Sequence, residues 1–237
     1  MGRIQSIQSF STVDGPGTRC VVFLQGCPVG CLFCHNPGAW AMDGGVESDV
    51  EQLLGRLERF RPFLQTPGLT ISGGEPMAQP EFTLELIQKA KSEGWHVALD
   101  TSGWGPVDQF RKAAGSADLV ILSIKHSLTP EKLIRCPAEQ LLENRNTLAS
   151  LPVPVILRYV LIPDLTDQPE ALTALGTIAK AQPNLIRVEL LPFNRLAEHK
   201  WLKLGRENPL FSSAKPNVTE ARIREAEELI RKIITPC

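Results

Sequence analysis

What constrains this chain most is a rhythm: a short apolar run, a turn, then an amphipathic helix, repeated along its 237 residues. Residues 19–25 (RCVVFLQ) are rich in β-branched and aromatic side chains and read as a strand. Further strands are expected at 69–72, 95–99, 118–124, 153–162 and 185–191. The capping-box string Ser48-Asp49-Val50-Glu51 predicts a helix that carries Val50, Leu53, Leu54, Leu57 and Phe60 at helical spacing. Other helices are expected at 80–93, stopped by Gly94, and at 107–114 and 139–149. Asp167, with Glu170 in the capping-box position, predicts a helix through Leu172, Leu175 and Ile178. The last runs over 219–234, apolar at Ile223, Ala226, Ile230 and Ile233.

Strand–helix alternation of this kind builds a parallel sheet covered by helices. The run VILRYVLI within 153–162 is almost continuously apolar, as in a strand buried on both faces. Two architectures fit, an open doubly wound sheet and a full or partial barrel. No G-x-G-x-x-G follows the first strand, which argues against a dinucleotide fold. Polar residues instead recur just after successive strands: Gly73-Gly74-Glu75, Asp100-Thr101-Ser102 and Lys125-His126. Those are the C-terminal strand ends, where barrels place their chemistry. The expectation is an α/β protein folded as a partial (β/α)6 TIM-like barrel. It is a single domain over 1–237, with a core at about 15–200 and a C-terminal helix at about 219–235.

Lys plus Arg is 25 and Asp plus Glu is 26, a net charge of −1, so nothing electrostatic favours nucleic acid or an anionic membrane as partner. No stretch approaches the ~20 apolar residues of a membrane span. Met1 to Ser6 has no apolar core of a signal peptide, so a cytoplasmic protein with reduced thiols is expected. Of six cysteines, Cys27, Cys31 and Cys34 cluster; Cys20 reads as core, and Cys136 and Cys237 as incidental.

The cluster reads C-x3-C-x2-C and follows the first strand directly. Structural zinc takes four closed ligands, and no fourth cysteine lies nearby. A dithiol redox motif leaves Cys27 unexplained. An electron-transfer cluster takes a fourth cysteine. A cubane cluster with three cysteine-bound irons and one open iron fits best, and a zinc site is the competing reading. An open iron makes sense only when a small molecule fills it.

The triplet, with Phe33 before its last cysteine, resembles the radical S-adenosylmethionine superfamily. The resemblance extends through Thr12-Val13-Asp14-Gly15-Pro16-Gly17, Phe23-Leu24-Gln25-Gly26-Cys27 and Cys34-His35-Asn36-Pro37. It continues through Ser72-Gly73-Gly74-Glu75, Leu99-Asp100-Thr101, Arg158-Tyr159-Val160, Glu189-Leu190-Leu191-Pro192-Phe193 and His199-Lys200-Trp201. In order, these motifs are similar to the pyruvate formate-lyase-activating family within that superfamily. Related activases carry a cysteine-rich insert after the triplet. Residues 36–69 contain no cysteine, which places the likeness with the insert-free activases, including those of anaerobic ribonucleotide reductase.

The resemblance implies a radical SAM barrel with a [4Fe-4S] cluster on Cys27, Cys31 and Cys34 and S-adenosylmethionine on the open iron through its amino and carboxylate groups. It implies cofactor contacts from Phe33, Gly73, Gly74, Glu75, Asp100, Thr101, Lys125, Arg158 and His199. Gly73 and Gly74 leave room for a ligand beside the backbone. Asp100 and Thr101 would hold the methionine end or a monovalent cation, and His199, in a loop, the adenosine. Lys125 would meet the ligand carboxylate, although Ser123-Ile124-Lys125 stands where the family has Asp-Leu-Lys. Arg158 lies in an apolar strand and needs a partner, either Glu189 or the ligand carboxylate. Asp14 would face the protein substrate, or serve the turn. No side chain is expected to act as acid, base or nucleophile. The implied activity is removal of a glycine Cα hydrogen from a glycyl-radical enzyme, pyruvate formate-lyase first, by a monomer fed electrons by flavodoxin or ferredoxin. Another glycyl-radical enzyme, a small molecule, or a metal-binding module without turnover are the competing readings.

Overall fold

The apolar runs of the sequence become parallel neighbours. In the computed structural model, which describes residues 1–212 and 218–235, β2 (Arg19–Leu24), β4 (Gly68–Gly73), β5 (His96–Thr101), β6 (Leu119–Ile124), β7 (Val155–Leu161) and β8 (Leu185–Pro192) pair successively in parallel. Helices α1 (Val50–Glu58), α2 (Pro80–Ser92), α3 (Val107–Ser116), α4 (Glu139–Ala149) and α5 (Pro169–Lys180) make the crossovers. Three helices follow β8: α6 (Glu198–Lys203), α7 (Pro209–Ser212) and α8 (Glu220–Ile234).

Two strands were not anticipated. β1 (Gly2–Ser11) and β3 (Val46–Ser48) extend the β2 edge antiparallel, giving the order β3-β1-β2-β4-β5-β6-β7-β8. The pairing of β1 with β2 shifts register between Ile4 and Ser6, so its apolar residues do not alternate cleanly in the sequence. The architecture is that of the expected partial barrel.

Alternate strand residues face opposite ways. Val22, Ile71, Leu99, Leu122 and Leu157 join the buried core beneath the helices, into which α2 inserts Phe82, Leu86, Ile87 and Ala90. Each of the larger of these side chains contributes roughly 1.5–3 kcal/mol on burial. Ala98, Leu119, Ile121 and Ile156 form a separate small cluster on the opposite face. α8 closes the last crossover by burying Ala226 and Ile230 and packing Ile233 on Gly176 of α5.

Three local expectations change. Asp49, not Ser48, caps α1 and accepts from the Gln52 N–H at 2.7 Å, because Ser48 is held in β3 opposite Gly2. Gln168 precedes α5 without a side-chain cap. The Asp167 carboxylate is engaged elsewhere, accepting from the Asp164 N–H at 2.8 Å and pairing with Arg222 of α8 at 3.4 Å. His199 lies in α6 rather than in a loop. No described helix is long and apolar enough to cross a membrane.

Candidate functional site

The C-terminal ends of the parallel strands surround a cavity of about 280 Å³. Its geometry begins where β2 and β4 end. The Gly74 N–H donates to Leu24 O and the Glu75 N–H to Gly26 O, both at 2.8 Å. A Cβ on Gly73 would lie 2.2 Å from Leu24 N, and one on Gly74 2.1 Å from Gly26 O. Gly73 also has φ +109°, which favours glycine. The close approach these glycines permit is therefore to the protein's own backbone, and it fixes the start of the cysteine loop.

The rest of that loop is clamped from two sides. Leu32 N–H donates to Leu133 O and Arg135 N–H to Val29 O, each at 2.9 Å. From α6, the Trp201 indole donates to Cys34 O at 2.9 Å and Lys200 Nζ to His35 O at 3.2 Å. Cys27, Cys31 and Cys34 all line the cavity. Burial pushes the Cys27 and Cys31 thiols up to about 12 and raises Cys34 as well. Lys125 also lines the cavity, its Nζ 5.8 Å from the Phe33 ring centre. Burial works against its charge, but the surrounding Cys31, Asp100, Cys27 and Glu75 outweigh burial and raise its pKa.

The wall of the cavity carries two carboxylates held by hydrogen bonds. Glu75 is buried and its oxygens are fully engaged. Oε1 accepts from Thr101 Oγ1 at 2.6 Å and Met77 N–H at 3.1 Å, and Oε2 from Ser102 N–H at 2.8 Å and Ser102 Oγ at 2.5 Å. Burial raises its pKa against those four donors. Glu75 thus ties the exit of β4 to that of β5. Asp100 accepts from Ser72 Oγ at 2.9 Å and from Arg158 Nη1 at 3.3 Å. Arg158 donates from Nε and Nη2 to Glu189 Oε2 at 3.0 and 2.9 Å, and from Nη2 to Val13 O at 2.9 Å.

Most expected site residues thus converge. Cys27, Cys31, Phe33, Cys34, Gly73, Gly74, Glu75, Asp100, Thr101 and Lys125 line one cavity. Arg158 does not; of its two anticipated partners the structure shows Glu189, with Asp100 besides. His199 lines a second opening of about 730 Å³ that shares His35 and Asn36 with the first. Asp14 accepts from Ser11 Oγ at 2.5 Å, a turn contact, while its carbonyl accepts from Thr70 Oγ1 at 2.6 Å, which ties the loop to β4. Cys20 is core, Cys136 is half-buried outside the cavity, and Cys237 lies outside the described residues.

Sequence reasoning passed over Trp40, Ser72 and Ser102 as cavity residues. Ser72 and Ser102 stood in plain view beside Gly73 and Thr101, at strand ends. Trp40 carried no signal, because only the fold brings it to the cysteines.

Among the described residues no three His, Cys, Asp or Glu side chains stand close enough together to share a single metal ion. A cubane takes one thiolate on each of three separate irons, and three thiols spread around one cavity suit it. No fourth cysteine lines that cavity.

The sequence matches the Radical SAM superfamily over residues 21–175. It is 41% identical over 209 residues to the pyruvate formate-lyase-activating enzyme of Clostridium pasteurianum, spanning 86% of this chain and 87% of that one. It is 37% identical over 241 residues to the enzyme of the same name from Streptococcus mutans, spanning 97% and 90%. In fold, it superposes on the crystal structure of Streptococcus suis SuiB bound to precursor peptide SuiA with a TM-score of 0.69 at 12% identity, spanning 90% of this chain and 45% of that one.

Proposed function

We propose a function from one premise: the chain belongs to the radical SAM superfamily, within the family of pyruvate formate-lyase-activating enzymes. It is an enzyme that activates a glycyl-radical enzyme. The family implies a [4Fe-4S] cluster and S-adenosylmethionine. When bound, these supply a 5′-deoxyadenosyl radical, which takes a Cα hydrogen from a glycine of the partner.

The chain's own residues bind, orient and exclude water. Cys27, Cys31 and Cys34 would hold three irons. Lys125, whose charge is favoured by the carboxylates of Asp100 and Glu75, would meet the carboxylate of the methionine moiety. Asp100 would receive the methionine amino group or a monovalent cation, held in place by Ser72 and Arg158. Glu75 would shape the wall rather than contact the ligand, because its acceptors are engaged. His199 would reach the nucleoside across the shared wall at His35 and Asn36. Phe33 and Trp40 would keep solvent out. No side chain needs to serve as acid or base.

Pyruvate formate-lyase is the proposed partner, and flavodoxin or ferredoxin the proposed electron donor, in a cytoplasmic monomer. The single observation that carries the assignment is that three thiols, one buried and two half-buried, line one cavity at the strand ends together with a half-buried lysine and a half-buried aspartate. The test is anaerobic loading with iron and sulfide, reduction, and addition of S-adenosylmethionine. 5′-Deoxyadenosine is released, and mixing with pyruvate formate-lyase gives a glycyl EPR signal. A loaded protein that leaves S-adenosylmethionine intact refutes the assignment; one that cleaves it without the EPR signal refutes only the partner.

A further inference from the structure

Trp40 joins the cysteine cavity to the outer surface. Its ring lines the cavity and packs edge-on against Trp201 at 4.9 Å, and the Cys27 N–H donates to its carbonyl at 3.3 Å. Its indole N–H is buried and forms no hydrogen bond. The ring also carries two cations: the guanidinium of Arg135 is 5.1 Å from its centre and that of Arg206 is 5.0 Å. Both arginines are exposed, and neither guanidinium is paired with a carboxylate among the described residues.

These cations are fixed rather than scattered. Arg135 N–H is bonded to Val29 O inside the cysteine loop, and Arg206 N–H to Trp201 O at the end of α6. Exposed Lys200 and Lys203 lie on the same helix, with Lys200 bonded to His35 O. Glu207 is the exposed carboxylate next to Arg206. In a chain of net charge −1, these cations are gathered on the surface beside the cysteine loop. Like charges gathered around one aromatic ring repel each other unless an anionic surface covers them. The ring beneath leads inward to Cys34.

Resting on the function proposed above, we infer that the Arg135–Trp40–Arg206 stack is the docking point for an acidic one-electron carrier protein. The carrier is oxidised by one electron there, and the same electron reduces the cluster behind Trp40. Electrostatic attraction of this kind acts mainly on the association rate and fades with salt.

The test is stopped-flow reduction of the cluster-loaded enzyme by a reduced, acidic flavodoxin, with dithionite as a small reductant that needs no docking site. Binding of oxidised flavodoxin is measured in parallel. In Arg135→Glu/Arg206→Glu, the second-order rate with flavodoxin falls tenfold or more at low salt, the salt dependence flattens and binding weakens, while reduction by dithionite keeps its rate. Arg224→Glu on α8 leaves both rates unchanged. Unaltered flavodoxin kinetics and binding in the double variant overturn the inference. So does a variant that takes electrons normally but forms less glycyl radical under dithionite, because the face then serves the glycyl-radical partner. Absence of any dithionite-reducible absorbance in the unmutated protein strikes at the cluster assignment itself, a result distinct from either.

Discussion

Arg158 Nη1 lies 3.3 Å from Asp100 Oδ2, so a carboxylate that lines the cavity is held by a guanidinium that does not. The same arginine holds Glu189 on β8 and the Val13 carbonyl in the loop before β2. Burial raises the Asp100 pKa, and Arg158 is the chief influence in the other direction. Asp100 therefore owes its charge, and its aim into the cavity, to a residue on another strand.

Removing that arginine takes the ion-pair partner from Asp100 in a poorly solvated place, while Glu189 keeps Arg187 at 2.6 Å. Arg158→Met is expected to cost about 3–5 kcal/mol in urea unfolding. Arg158→Lys keeps a charge but loses the fork that spans Asp100 and Glu189, so its loss is smaller and its affinity for S-adenosylmethionine is still reduced. A variant as stable as the parent contradicts the pairing.

Glu75→Gln turns one carboxylate oxygen into an amide donor that faces either the Thr101 and Met77 donors or the two Ser102 donors. The expected loss is about 1–3 kcal/mol, read by denaturant unfolding of the metal-free protein. An unchanged midpoint would show that Glu75 does not brace the exits of β4 and β5.

Two glycine-to-alanine changes should move stability in opposite directions. Gly74→Ala drives a Cβ onto Gly26 O and is expected to destabilise by about 1–3 kcal/mol, displacing the cysteine loop and lowering iron uptake. Gly55→Ala lies in α1 with nothing within 4 Å, and should stabilise by roughly 0.5–1 kcal/mol. Equal melting temperatures for the pair would refute this account of the loop.

Loss of any cluster thiol should be specific. Cys27→Ser, Cys31→Ser and Cys34→Ser each lower bound iron after reconstitution, whereas Cys136→Ser, outside the cavity, retains it. Full iron content in a triplet variant would place the cluster elsewhere.

His126 supplies a pH dependence. Burial lowers its pKa, opposed by the contact with Leu165 and reinforced by Lys132, and its Nδ1 accepts from the Leu128 and Thr129 N–H groups at 3.1 and 3.2 Å. The folded value lies below the unfolded one. Its contribution is therefore intact above the unfolded value of 6.5 and is lost as the pH falls from there toward the folded value. His126→Asn preserves an acceptor without a titrating proton. The fall in stability from about pH 7 to about pH 5 should be shallower in that variant, though not abolished, because His35 and His96 are lowered too. Parallel curves would exclude His126.

The parallel strands, their crossover helices, and the placement of Cys27, Gly73, Asp100 and Lys125 at successive strand ends were legible before any coordinates. Those features are written in local periodicity and spacing, which a chain carries before it folds. Only the tertiary structure decided that Asp49 caps α1 in place of Ser48, that Asp167 pairs with Arg222, that Arg158 is committed to Glu189 and Asp100, and that Trp40 lies between two arginines and the thiols. Each of these depends on register and packing between segments distant in the sequence, such as Ser123 opposite Arg158 and Arg158 opposite Glu189, and no local pattern encodes which far neighbour will be nearest.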